Sequence, residues 1–193
     1  MAEPVDRPET PLTTAMLKAF ANPLRRRILR VFRTDGAVRA VDLAARLGEP
    51  ANKISFHLRV LAEAGFIAER PELARDRRDR VWSAVMDGFN LGGAENPVPD
   101  QVLGDVVVQG LVDDHNERVR RLTAWASEYL SGATAEAHGT LSHDGLMLTS
   151  SEFVALLERL HQAIKEAEET HDPASGEESR FYEIDIIAAD DRI

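Results

Sequence analysis

The 193-residue chain contains no cysteine. That excludes disulfides, thiolate metal sites and thiol redox switches together. No apolar run approaches the ~20 residues needed to span a bilayer. The opening residues, MAEPVDRPETP, are acidic and proline-rich without an apolar stretch, so no secretory signal is expected there. Neither G-x-x-x-x-G-K nor G-x-S-x-G occurs. A phosphate-cradling loop of that type and a nucleophile elbow are therefore both missing. With 44% apolar residues the chain can still bury a core. The expectation is a soluble cytoplasmic protein that is not an enzyme and carries no cofactor.

Positive charge is scarce overall, with a net charge of −10, but it is unevenly spread. Residues 18–82 hold 15 Lys/Arg against 8 Asp/Glu, whereas residues 83–193 hold 7 against 22. A basic module is joined to an acidic one. The basic module suits a polyanion; the acidic one is repelled by it and should face away.

Residues 1–13 read as a flexible tail. Thr13 or Thr14 can cap a short helix through Ala21. Asn22 is a good cap for a second helix, with Pro23 at its first position. That helix carries Leu24, Ile28, Leu29, Val31 and Phe32 as its apolar stripe and ends near Asp35–Gly36. VRAVDLAARLGEP is a short helix stopped by Gly48. NKISFHLRVLAEAGFI (52–67) is a further helix running into Gly65. Residues 66–69 and 80–85 look extended, with a polar, charged connection between them, and predict a β-hairpin. Residues 87–100 have linker composition, with three Gly, two Pro and two Asn.

Gln101 to Leu130 predicts one helix, ~45 Å long by its rise per residue. A small domain cannot cover that length alone, so a partner chain is expected. TLSHDGLMLT predicts a strand or hairpin. Thr149 and Glu152 have capping-box spacing ahead of a helix carrying Phe153, Leu156, Leu157, Leu160 and Ile164. RFYEIDIIAA predicts a closing strand. The fold class is therefore mainly α with small β elements: a winged helix-turn-helix domain at 14–86, a linker, and an α+β dimerisation and effector region at 101–193.

Two helices joined by a turn of three or four residues make a helix-turn-helix, whose second helix enters the DNA major groove. Here that is the helix near 51–64. Ile54, Leu58 and Leu61 form its buried stripe. Asn52, Ser55, Phe56 and Arg59, at i, i+3, i+4 and i+7, fall on the opposite side, with Lys53 at the edge. Asn pairs with adenine, Arg with guanine, Ser with several partners, and an aromatic ring with the thymine methyl. Arg75, Arg77, Arg78 and Arg80 in the hairpin can reach phosphates or the adjacent minor groove, which positions the protein without specifying sequence.

ANPLRRRIL, VDLAARLG, ISFHLRVLAEAGFI and the basic hairpin, in that order, resemble the ArsR-type winged-helix regulators over residues 14–86. The most specific matches are Ser55, His57, Leu58, Leu61, Ala64 and Gly65, and the Asn22–Pro23 opening followed by Arg25, Ile28 and Leu29. The resemblance implies a homodimeric DNA-binding repressor released by an effector, with residues 101–130 as the dimerisation helix. Many members sense metals, but the cysteine pair of the family's first metal site is absent. Of the second site only Asp113 and His115 are present; Ala126 and Tyr129 stand where the remaining ligands are expected.

Plainer roles compete at several positions. The Arg25–Arg27 run reads as a solvated face, some of it touching phosphate. His57 reads as a packing residue rather than a base reader. Trp125 and Tyr129 read as core or dimer interface, and Asp113 with His115 as a polar patch. The competing functions are a winged helix used for protein partners and a metal sensor built on Asp113 and His115.

Overall fold

The computed structural model describes residues 12–76, 79–85, 91 and 96–192. Most of the expected tail and linker, and Arg77 and Arg78, lie outside the described residues. The order is α1 (Thr14–Phe20), α2 (Pro23–Asp35), β1 (Ala37–Arg39), α3 (Ala40–Leu47), α4 (Ala51–Glu63), β2 (Ile67–Glu69), a 3₁₀ turn (Pro71–Leu73), β3 (Val81–Ala84), α5 (Gln101–Leu130) and α6 (Ser150–Glu169). The chain divides into two compact units, one ending at Asn116 and the other running from Glu117. The division falls inside α5.

Local chemistry sets the ends of the early helices. The Thr13 hydroxyl accepts from Met16 N at 3.2 Å and opens α1. The Asn22 side chain accepts from Leu24 N and Arg25 N, and Pro23 follows it. These caps satisfy amides that have no partner within the helix. Gly48 closes α3 at φ +65, a left-handed conformation that glycine adopts without penalty. Three residues later α4 begins at Ala51, so the α3–α4 turn is short and α4 is fixed relative to α3.

β1, β3 and β2 form a three-stranded antiparallel sheet in that order. Val38 stands opposite Trp82, and Ala68 opposite Ser83. The hairpin β2–β3 was expected; β1 was not. α4 ends at Glu63 with Ala64 as its cap, just before Gly65, and Phe66 and Ile67 turn back into the core, at 2% and 3% exposure. The core takes Leu17 from α1, Ile28 and Phe32 from α2, Leu43 from α3, and Ile54, Leu58 and Leu61 from α4. Val107 of α5 joins it, fully buried. Each such side chain stabilises the fold by roughly 1.5–3 kcal/mol relative to exposure.

In the second unit, α6 opens with the full Thr149–Glu152 capping box. Arg118 of α5 donates to Glu183 at 3.3 Å and also to Asp185. Trp125 Nε1 donates to the Glu136 carbonyl at 3.1 Å. Its ring packs on Tyr129 and His138, with centroids 5.2 and 5.8 Å apart. The strands expected in TLSHDGLMLT and RFYEIDIIAA are not formed. Alternating hydrophobicity supplies strand propensity, but a strand also needs a ladder partner, and neither segment joins a sheet among the described residues. From Glu117 onward none of the described residues is buried. No helix among them is long and apolar enough to cross a membrane.

Candidate nucleic-acid interface

α4 has two chemically distinct sides. Ile54, His57, Leu58 and Leu61 are buried. Asn52, Lys53, Ser55, Phe56 and Arg59 are all exposed, Phe56 at 53%. The structure thus brings five of the nine expected contact residues together on one helix. Their present partners are local. Ser55 Oγ donates to the Ala51 carbonyl at 2.8 Å, and Arg59 Nε makes a long bond of 3.4 Å to the Ser55 carbonyl. Lys53 Nζ is 2.8 Å from Glu49 Oε2. The hydrogen bond from Lys53 holds the Glu49 carboxyl below the usual carboxylate range. Of these five side chains, Lys53 is the most committed before any ligand arrives.

His57 holds the helix from behind. It is 7% exposed, and its Nδ1 lies 3.4 Å from Arg25 Nη1. A guanidinium only donates, so Nδ1 must accept and the imidazole is neutral. Burial, followed by the charges of Arg25 and Lys53, pushes its pKa below the ordinary value. The unfolded chain therefore binds this proton more readily than the folded one. The resulting stability is complete above the ordinary imidazole value of about 6.5 and is lost as pH falls through the depressed folded value. We expect the thermal midpoint to drop between about pH 7 and about pH 5. His57→Gln, which keeps an acceptor but does not titrate there, should flatten that slope; an equal slope in both chains would show that His57 does not titrate on unfolding.

The hairpin arginines divide. Arg80 Nη2 lies 2.6 Å from Glu69 Oε2, and its Cζ sits 4.9 Å from the Trp82 ring centroid. The hydrogen bond between Arg80 and Glu69 raises the Arg80 pKa and lowers that of Glu69. Arg80 is thus tied across β2 and β3, a structural role that the sequence did not show. Arg75 is exposed at the start of the loop.

Of the Arg25–Arg27 run, only Arg27 is exposed. Arg25 is half-buried, its Nη2 donating to the Lys18 carbonyl at 2.6 Å. Arg26 is 7% exposed. Its Nε donates to Asp114 Oδ2 at 2.7 Å, and Nη2 donates to the Gly110 carbonyl at 3.1 Å. Leu24 and Ile28, two residues to either side of Arg26, fall on the opposite side of α2. Their packing put Arg26 outside the visible core pattern. Its burial depends on α5, which sequence periodicity in α2 does not report. A glycine in mid-helix, Gly110, was the available signal, since glycine costs a helix ~1 kcal/mol relative to alanine.

Asp113, the other half of the expected polar patch, is exposed and accepts from Gln109 Nε2 at 3.1 Å. His115 is half-buried. Among the described residues no three His, Cys, Asp or Glu side chains converge on a point that could hold a metal ion.

Residues 20–70 match a family described as a helix-turn-helix domain. The match runs from the end of α1 to the end of β2, and so includes α2, α3 and α4. Within this helix-turn-helix domain α3 is the supporting helix and α4 the second helix; β2 and β3 form the wing that follows. No curated protein matches the chain. Among solved structures, the X-ray crystal structure of the YusO protein from Bacillus subtilis is similar, at 18% identity over 80% of this chain and 79% of that one, with a TM-score of 0.32.

Proposed function

We propose that the chain is a sequence-specific DNA-binding transcriptional regulator of the ArsR type, a homodimeric repressor that reads the major groove with α4. One observation carries the reading: on the second helix of the helix-turn-helix domain, every expected reader is exposed while Ile54, His57, Leu58 and Leu61 hold the other side. Asn52, Ser55, Phe56 and Arg59 read base edges. Lys53, Arg75, Arg77 and Arg78 bind phosphate. Arg80 belongs with them only if Glu69 releases it.

Homodimerisation through α5 is supported by its first turns. Leu103, Val107 and Gly110 face the helix-turn-helix unit, while Val102, Val106, Val108 and Val112 remain 44–74% exposed. A helix that is apolar nearly all round is normally covered on more than one side. A second copy would place two α4 helices at half-sites ~34–36 Å apart.

A salt-titrated gel shift on the DNA upstream of the chain's own gene tests the function. The association constant should fall linearly with salt on logarithmic axes, with a slope of about −0.9 per phosphate neutralised. No saturable binding at low salt would overturn the DNA reading and favour a winged helix that binds protein partners.

A further inference from the structure

Arg26 is the one buried arginine or lysine among the described residues, and the roles assigned above to α4 and the wing do not use it. A guanidinium carries its N–H donors in a fixed plane, and each of its three nitrogens has an acceptor here. Nε and Nη2 donate to Asp114, at 2.7 and 3.4 Å. Nη2 also donates to the Gly110 carbonyl at 3.1 Å. Nη1 donates to the Phe20 and Ala21 carbonyls at 3.3 and 3.2 Å. One side chain on α2 therefore ties the C-terminal end of α1 to the first half of α5.

The seat on α5 is shaped for that group. A Cβ at Gly110 would lie 2.5 Å from Arg26 Nη1 and 2.7 Å from Cζ. Only glycine lets the helix backbone come this close. Asp114, one turn further along, supplies the matching carboxylate, and Val107, fully buried, sits on the same face. Lysine could not replace Arg26, because it has three donors and no plane.

We propose that Arg26, Gly110 and Asp114 form a clamp that sets the angle of α5 to the helix-turn-helix domain, and through it the separation of the two reading helices. Arg26 is a positioning residue that touches no DNA. The inference rests on the dimeric DNA-binding reading above. If α5 joins the two copies, any change in its angle to the domain carries directly into the distance between the α4 helices. The clamp then specifies half-site spacing, while α4 specifies bases.

The test uses the full-length chain and a random-sequence duplex DNA library. Wild type, Arg26→Lys and Asp114→Asn are each put through selection, and the chosen half-site sequences and spacings are compared. The expected result is the same half-site bases in all three, with one dominant spacing for wild type and a broadened or shifted spacing for the variants. Affinity of the variants for the wild-type duplex should fall on the order of tenfold, with affinity for an isolated half-site unchanged. Identical spacing and affinity in every variant that keeps a cooperative thermal transition overturns the clamp and leaves the DNA reading standing. Loss of that transition in both variants also overturns it, assigning the cluster to folding alone. If wild type selects no sequence, the DNA reading itself fails and the clamp fails with it.

Discussion

Asp114→Ala is expected to destabilise the helix-turn-helix unit by about 3 kcal/mol, near the lower end of the ~3–5 kcal/mol range for breaking a buried ion pair. Arg26→Met at the same pair should cost clearly less. The asymmetry follows from burial: the Arg26 side chain is 6% exposed and that of Asp114 is 26% exposed. Removing Asp114 leaves a buried guanidinium without its carboxylate, with the Gly110, Phe20 and Ala21 carbonyls as its remaining acceptors. Removing Arg26 leaves a carboxylate with a quarter of its surface in solvent, and methionine retains much of the apolar stem. Urea unfolding of the three chains decides the matter through their midpoints at constant slope. A midpoint for Asp114→Ala no lower than that of Arg26→Met would mean that Arg26 finds other acceptors or water once its carboxylate is gone. Gly110→Ala supplies an independent check, since its methyl group would displace the same guanidinium without removing a charge.

The part of the fold that sequence reveals is the part set by near neighbours. Asn22–Pro23 at the start of α2, Thr149–Glu152 at the start of α6 and the span of α5 all follow from residues within a turn or two of one another. The same holds for the candidate site: one helix presents Asn52, Ser55, Phe56 and Arg59 together because of their spacing. What escaped depends on distant partners. β1 is three residues of ordinary composition whose partners lie on β3, so nothing local marks it as a strand. Arg26 is buried by a carboxylate 88 positions away, and within a run of three arginines it is indistinguishable from its exposed neighbour Arg27. Arg80 has the charge of a phosphate ligand, yet Glu69 and Trp82 hold it in the sheet. The opposite error occurred near 146–148 and 181–187, where a good strand pattern has no paired neighbour among the described residues.

Arg59→Ala should weaken binding to the specific site by ~1–3 kcal/mol and relax preference at one base pair. Among the cations near α4, Arg59 is the one with least to break. Its long bond to the Ser55 carbonyl is easily exchanged, whereas Lys53 is paired with Glu49 and Arg80 with Glu69. It lies one turn beyond Ser55 and two beyond Asn52 on the exposed side, at reach of a guanine edge when the first turns of α4 enter the groove. Folding stability should change by no more than about 0.5 kcal/mol, since the side chain is on the surface. The decisive comparison is with Arg75→Ala. Deleting a phosphate-binding cation there should lower affinity evenly for all sequences and reduce the magnitude of the salt slope by about 1. Arg59→Ala should leave the slope nearly as it was and reduce discrimination against mismatched sites. If instead Arg59→Ala reduces the slope and leaves discrimination intact, Arg59 binds the DNA backbone, and Asn52 and Ser55 must carry the sequence readout.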